Sequence, residues 1–307
     1  MSTPQAKPQN ADDAITLTSD ELLAIQAKAF DILKWFLDYC AKHELRVWLY
    51  AGTLLGAVRH KGYIPWDDDI DVLMPRPDYD RLVSLWPSTN NDHYSFVTTT
   101  RDLVTHDPIG VICDNDTTAI KTQHVDVDMP QGLEIDIFPL DACPATRLGQ
   151  HLQMAWNLMF GVFIAQFAPD THGRLAELAA KIALATFRPA GLRWRLWRFA
   201  ERRMLATPYG STKWVRTLYS GPVNARKIVP LADFDSTVRG EFCGLDVPLP
   251  RGWDDFLTRH FGDWRELPPL QDRVPHHDMA FLDLNTPYLR YKGVRYCVPG
   301  PPGGPAG

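Results

Sequence analysis

Four aspartates lie within five positions of the chain, at Asp67, Asp68, Asp69 and Asp71. In an extended segment alternate side chains share a face, so Asp67, Asp69 and Asp71 are expected to point the same way. Carboxylates this close repel one another unless they lie in water or a cation neutralises them. Their hard oxygen atoms suit Mg²⁺ or Mn²⁺, which would be shared with the phosphates of a substrate. The cluster therefore predicts a divalent metal site.

Two other interpretations of the aspartate cluster deserve comparison. A solvated acidic turn is common, but here apolar residues frame the run on both sides, from Ile64 to Trp66 and from Ile70 to Met74. A calcium-binding loop would also place aspartates at these spacings. Its sixth position must be glycine, and Val72 stands there. The calcium loop is therefore rejected.

A second acidic segment, 133–138, alternates acidic and apolar residues as a strand does. Glu134 and Asp136 share one face of this segment. An acid between apolar strand residues is unusual unless it faces a metal, a partner or water. We predict Asp136 as a third metal ligand or general base, with Glu134 as the alternative.

The glycine-rich segment before the cluster, Gly52 to Gly56, lies where a predicted strand meets a predicted helix. Such a junction offers free backbone N–H groups and the positive end of a helix dipole, and Thr53 adds a hydroxyl, all of which suit phosphate oxygens. Arg59 and Lys61 follow closely and could neutralise phosphate charge, although both could equally be surface charges at a helix end.

Several elements must position these residues. Thr18 and Glu21 form the pattern of a capping box, and apolar residues at helical spacing predict a helix from there to about residue 43. The next predicted elements are a strand at 46–51, a helix at 54–60, a strand at 69–74, a helix at 77–85, and strands at 94–99, 109–113, 117–121 and 133–138, the last stopped by Pro139.

These elements predict an α/β (α+β) organisation with local alternation of helices and strands. We expect a disordered leader at 1–17, a catalytic core at 18–145, a helical and basic segment at 146–210, a C-terminal part at 211–300 that packs on the core, and a flexible tail at 301–307.

Composition excludes several classes of protein. A net charge of −5 over 307 residues gives no reason to expect nucleic acid as a partner. The N-terminus shows no secretory signal, and no apolar run is long enough to span a bilayer. Five cysteines at no metal-site spacing are expected to be reduced thiols, with Cys40 and Cys113 in the core. We therefore expect a cytoplasmic protein, whether free or peripheral at the inner face of the membrane.

The segment 50–71, YAGTLLGAVRHKGYIPWDDDID, closely resembles the signature of the LicD family of phosphotransferases. The segment 134–141, EIDIFPLD, is similar to the second motif of that family. The segment 261–264, FGDW, and the later run from Arg273 to His277 are similar to its C-terminal element. The resemblance covers roughly 20–145 and 240–280, and 148–235 is much less distinctive.

The resemblance implies a nucleotidyltransferase-type mixed β-sheet core flanked by helices, to which a mainly helical segment has been added. It also implies transfer of a phosphocholine or related phosphoalditol from a CDP-activated donor to a hydroxyl of a glycan or lipid-linked glycan, such as a cell-surface polysaccharide, with release of CMP. The residues it carries over fall into two groups. Those at the metal are Asp67, Asp69, Asp71 and Asp136, and those at the donor phosphates are Gly52 and Thr53. Arg273 and His276 are further candidates for contact with donor phosphate or acceptor.

Two alternatives remain open from the residues. A metal-dependent glycosyltransferase also uses an Asp-x-Asp motif, but it would release a nucleoside diphosphate. A non-catalytic adaptor could bind a membrane surface through 187–203, where Trp and Phe alternate with arginines. The simpler interpretation of 187–203 is a helix that packs its tryptophans inward, and a lipid-linked acceptor would reconcile both ideas.

Overall fold

The computed structural model describes residues 15–165, 185–187, 189–273 and 279–298. The helices in this part of the chain are α1 Ser19–Lys42, α2 Ala51–His60, α3 Arg76–Leu85, α4 Arg147–Ala165, α5 Ala190–Met204, α6 Gly221–Asn224 and α7 Trp253–Phe261. The strands are β1 Trp48–Leu49, β2 Asp71–Pro75, β3 Tyr94–Val97, β4 Gly110–Asp114, β5 Thr118–Lys121, β6 Glu134–Ala142, β7 Trp214–Arg216, β8 Val229–Pro230, β9 Thr237–Phe242, β10 Leu245–Pro250 and β11 Met279–Asp283.

The main sheet is mixed, with its strands in the order β1-β2-β6-β4-β3, and β7 and β8 extend it from β6. Strands β2 and β6 run parallel, whereas β1, β4 and β7 are antiparallel to their neighbours. Two smaller antiparallel pairs, β9 with β10 and β5 with β11, lie outside it. The expected combination of a mixed sheet with flanking helices is confirmed.

Helix α1 forms where the sequence predicts it. Thr18 caps it, and both hydrogen bonds of the capping box to Glu21 are present. One face of α1, including Ile25, Leu33 and Phe36, is fully buried in the main core. Burying an aliphatic or aromatic side chain stabilises a fold by about 1.5–3 kcal/mol. The same face carries Gln26, which reaches the aspartate cluster described below.

A second apolar core joins α4 and α5. Phe160, Phe163 and Ile164 from α4 meet Trp197, Ala200 and Met204 from α5, together with Tyr219 beyond β7. Trp197 therefore packs inward, as the simpler interpretation of 187–203 expects, while Leu192 and Phe199 are exposed. None of the helices in the described ranges has the length and apolarity required to span a bilayer.

Strand β6 continues through Pro139 to Ala142, so the prediction that Pro139 stops it is wrong. The amide of Asp136 donates to Ile70 on the β2 side, and amides alternate sides along a strand. Residue 139 therefore faces away from β2. On the other side, pairing with β4 ends at Ile137. The proline consequently removes no ladder hydrogen bond.

The predicted disordered leader is wrong in its last three residues. The amide of Ile15 donates to the carbonyl of Met279 at 2.8 Å, and Ile15 and Leu17 pack against the main core. Residues 1–14 and the tail at 301–307 lie outside the described residues. Cys40 and Cys113 are buried, as predicted.

Candidate active site

A cleft of about 470 Å³ opens above the junction of α2, β2 and β6. Its walls come from two parts of the chain that are distant in sequence. The predicted core supplies Gly52, Trp66, Asp67, Asp69, Asp71 and Phe138, and the C-terminal half supplies Tyr219, Asn224, Lys227 and His260. A cleft of this size with convergent polar groups is typical of a small-molecule site.

The two acids predicted from separate motifs meet in the sheet. Asp71 begins β2, Asp136 lies in β6, and the two residues are direct partners in the parallel register. Burial raises the pKa of Asp71 well above its usual value, and the carboxylates of Asp69 and Asp136 raise it further. A divalent cation among these groups would relieve both their repulsion and their desolvation.

The other three aspartates of the cluster lie in the segment just before β2. Side-chain oxygens of Asp67, Asp68 and Asp69 all lie within 4.8 Å of one another. Asp67 is fixed through its backbone, because its carbonyl accepts from Gln26 Nε2 at 2.8 Å and its amide donates to the carbonyl of Ile64 at 2.9 Å. A set of close carboxylates on a tethered segment suits a hard divalent cation.

Two predictions about this segment are corrected. The strand begins at Asp71 rather than at residue 69, so Asp67 and Asp69 are not on strand. Alternation therefore does not apply to them, and Asp68, which alternation would have turned away, joins the cluster. Pro65, two residues ahead of Asp67, was the sequence signal for a bend there.

Gly52 and Thr53 lie in the first turn of α2, not in a loop before it. A methyl group on Gly52 would lie 2.8 Å from Asp67 Oδ2, so a larger residue at this position would displace that carboxylate. Thr53 is buried, and its hydroxyl accepts from the amide of Asp71 at 2.8 Å. Gly52 thus lines the cleft, whereas the Thr53 hydroxyl fixes the backbone of Asp71 through this hydrogen bond. A contact of Thr53 with a donor phosphate stays a prediction.

The start of α2 faces the cleft, where Tyr50, Ala51 and Gly52 are all part of the lining. Within the described part of the chain no side chain caps this helix end. The first N–H groups of a helix have no intrahelical partner, and the helix dipole is positive there. The junction therefore offers backbone N–H groups that could bind an anion, and the phosphate contact expected there stays a prediction.

Glu134 and Asp136 have different surroundings. Lys121 on β5 forms an ion pair with Glu134 at 2.6 Å. Burial lowers the pKa of Lys121, but the carboxylates of Glu134 and Asp136 outweigh that effect and raise it. Glu134 is thus neutralised by Lys121, and this favours Asp136 over Glu134 as the acid that acts with Asp71.

Arg59 and Lys61, which the sequence suggests as phosphate contacts, have other partners in the structure. Arg59 donates to the backbone carbonyls of Trp264 and Glu266, and Lys61 lies 3.6 Å from Glu241 in an exposed ion pair. Neither residue is part of the cleft lining. Arg273 stacks over the ring of Trp66 at 5.4 Å, which places it at the rim of the cleft. His276 lies outside the described residues.

Sequence reasoning did not find Lys227 and His260, which line the cleft from the C-terminal half. The Lys227 ammonium donates to the backbone carbonyl of His260 at 3.2 Å. Burial, together with the charge of Lys227, lowers the pKa of His260 to about 4, so its ring is neutral near pH 7. The only sequence signal was that His260 directly precedes the FGDW segment.

Comparison with known proteins gives consistent results. Residues 44–157 match the family described as LicD/FKTN/FKRP, nucleotidyltransferase domain. The chain is 27% identical over 272 residues, which is 86% of this chain and 96% of the relative, to a protein of Haemophilus influenzae named lipopolysaccharide cholinephosphotransferase LicD. It is also 30% identical over 112 residues, 36% of this chain and 34% of the relative, to an uncharacterized protein of Rickettsia typhi.

Proposed function

Because the chain belongs to the LicD family, we propose that it is a metal-dependent phosphotransferase that moves phosphocholine from CDP-choline to a hydroxyl of a lipopolysaccharide-type glycan and releases CMP. The transferred group and the acceptor are those in the name of the Haemophilus influenzae relative, which aligns over nearly its whole length. The CDP linkage rests on the resemblance of the sequence motifs to those of the family, and the metal rests on the carboxylates of the cleft.

One observation carries the proposal. Asp71 and Asp136 are register partners on adjacent parallel strands. Asp67, Asp69 and Asp71 line the cleft, and Asp136 lines a second, smaller pocket that shares Asp69 with the cleft. The donor set consists of carboxylates, and burial together with their mutual repulsion raises the pKa of Asp71. These residues therefore fit Mg²⁺ or Mn²⁺, which prefer oxygen ligands and also bind substrate phosphates.

Phosphoryl transfer depends mainly on positioning and on neutralising charge. When bound, Mg²⁺ supplies charge neutralisation for the pyrophosphate of the donor. The Thr53 hydroxyl accepts from the amide of Asp71, and Gln26 donates to the carbonyl of Asp67, so the backbone that carries these two carboxylates is fixed before a substrate arrives. Gly52 leaves the start of α2 open to an anion.

Asp136 is our candidate for the group that accepts the proton of the attacking hydroxyl, since a carboxylate is available as a base near pH 7. Lys121 forms an ion pair with Glu134, and its charge also interacts favourably with the carboxylate of Asp136. If the acceptor is lipid-linked, the exposed Leu192 and Phe199 of α5 are candidates for peripheral contact with the membrane that carries it. This would place the protein at the cytoplasmic face.

The test is a donor panel of CDP-choline, CDP-ethanolamine, CDP-glycerol and CDP-ribitol, each with Mg²⁺ and a lipopolysaccharide acceptor. We expect CMP from CDP-choline with the wild type, and at least about a hundredfold less with Asp69→Asn or Asp71→Asn. Asp246→Asn, on the exposed surface of β10, is the matched control and should retain full activity. Release of a nucleoside diphosphate from nucleotide sugars instead would support the glycosyltransferase alternative.

A further inference from the structure

Lys227 is the only lysine or arginine in the cleft lining that the described residues form. The same lining contains Asp67, Asp69 and Asp71, yet Lys227 makes no ion pair with any carboxylate within the described ranges. Partial burial lowers the pKa of Lys227, because desolvation disfavours the charged ammonium and makes it costly to keep there. Such a cost is typical of a functional group rather than of a stabilising surface charge.

The ammonium is held in place by a helix end. Its hydrogen bond goes to the carbonyl of His260, in the last turn of α7, where the helix dipole is negative. An ammonium has three N–H donors, and this bond uses one of them. The remaining donors are available to a ligand in the cleft.

The surroundings of Lys227 favour an anion as that ligand. His260 is neutral near pH 7, and its Nδ1 lies 3.1 Å from the carbonyl of Phe256, so the ring adds no second positive charge. Asn224, on the preceding short helix, lines the cleft beside Lys227 and offers an amide. Lys227 is thus a positioned cation in the same cleft as the carboxylates that would bind the metal.

We propose that Lys227 binds the phosphate of the donor that departs with the nucleotide, an inference that rests on the proposed function. In that reaction a bond forms between the acceptor oxygen and the β-phosphorus. The bond from the β-phosphorus to the bridging oxygen breaks, and this oxygen leaves with CMP and carries the electron pair. The hydroxyl proton passes to a base and then to solvent. Lys227 neutralises charge on the departing phosphate.

The test compares CMP with cytidine, which lacks the phosphate, by calorimetry in Mg²⁺. Lys227→Met should weaken CMP binding by about 10–100-fold and change cytidine binding less than about twofold. Lys227→Arg should restore CMP binding to within about threefold of the wild type, because it restores the charge. Lys213→Met, an exposed lysine, is the matched control and should leave both affinities unchanged.

Equal weakening of CMP and cytidine would show a structural role and overturn the inference, as would no change in either. The melting temperature of each variant shows whether it is folded. If Lys227→Met is unfolded, CMP and cytidine binding are compared between Lys227→Arg and the wild type instead. The two proposals fail separately. Suppose that the wild type releases CMP but Lys227→Met still binds CMP in preference to cytidine as the wild type does. That result refutes only the role of Lys227. Wild-type protein that binds CMP through Lys227 but transfers nothing refutes only the proposed function.

Discussion

Replacing Gly52 by alanine is the sharpest structural perturbation of the site. The added methyl carbon would lie 2.8 Å from Asp67 Oδ2, whereas ordinary contact begins at 3.4 Å, so one of the groups must move by about 0.6 Å (3.4 − 2.8). The backbone of Asp67 is held on both sides by Gln26 and Ile64. The displacement therefore falls mainly on its carboxylate.

The magnitude follows from this displacement. A misplacement of about 1 Å in a catalytic arrangement can cost about a hundredfold in rate. We therefore expect Gly52→Ala to lower kcat for CMP release by about 10–50-fold and to weaken Mg²⁺ binding. Folding should suffer little, because alanine in a helix is favoured over glycine by about 0.5–1 kcal/mol, which offsets part of the strain.

The assay measures CMP release and calorimetric Mg²⁺ affinity alongside urea denaturation. Gly161→Ala in α4 is the matched control, because its added methyl group has no neighbour within 4 Å among the described residues other than the backbone of its own helix and the adjacent residues. That variant should gain about 0.5–1 kcal/mol in free energy of unfolding without any change in activity. If Gly52→Ala turned over CDP-choline and bound Mg²⁺ like the wild type, the constraint on Asp67 would be refuted.

Three further predictions concern neighbouring groups. Asp71→Asn should raise the free energy of unfolding of the metal-free protein by about 1 kcal/mol, because it removes repulsion between carboxylates. The same variant should lose the rise in melting temperature that Mg²⁺ gives the wild type. A rise in melting temperature equal to that of the wild type would contradict this prediction. Thr53→Val should cost about 1–3 kcal/mol in urea denaturation, because the amide of Asp71 loses its acceptor, and Thr53→Ser should recover most of that loss. Burial raises the pKa of Cys40, whereas Cys243 is exposed, so mass spectrometry should find Cys243 alkylated first by iodoacetamide at pH 8; early labelling of Cys40 would disprove its burial.

The sequence was informative wherever chemistry is local. The capping box of α1 depends only on Thr18 and Glu21, three residues apart, and it forms as predicted. The meeting of Asp71 and Asp136 was also predictable in kind, because each lies on a strand that alternates acidic and apolar residues. The pattern does not predict that Asp71 and Asp136 are direct partners, because the register depends on how the two strands pair in the sheet.

Errors arose where tertiary context decides the local conformation. The acidic pattern predicts strand alternation from Asp67 onward, but β2 begins only at Asp71, and Asp68 therefore joins the cluster. Pro139 does not stop β6 because the strand has no partner on that side at that residue. Propensity describes a residue alone, whereas both outcomes depend on which neighbour lies beside it.

Lys227 shows the limit of motif reasoning most clearly. It lies 156 positions after Asp71 (227 − 71), within a segment that carries no distinctive motif. Only the packing of α6 and α7 against the core brings it to the cleft. A single lysine has no spacing signature, so its role follows from the absence of a carboxylate partner among the described residues and from its hydrogen bond to the end of α7.

The most direct test of the account is the fate of the β-phosphorus. The protein is incubated with Mg²⁺, a lipopolysaccharide acceptor and CDP-choline labelled at that phosphorus. We predict that the label moves to the acceptor while the nucleotide appears as unlabelled CMP, and that chelation of Mg²⁺ or Asp71→Asn prevents the transfer. Label that stays on soluble nucleotide, or transfer that continues unchanged in Asp71→Asn, would contradict a carboxylate-held metal as the centre of this site.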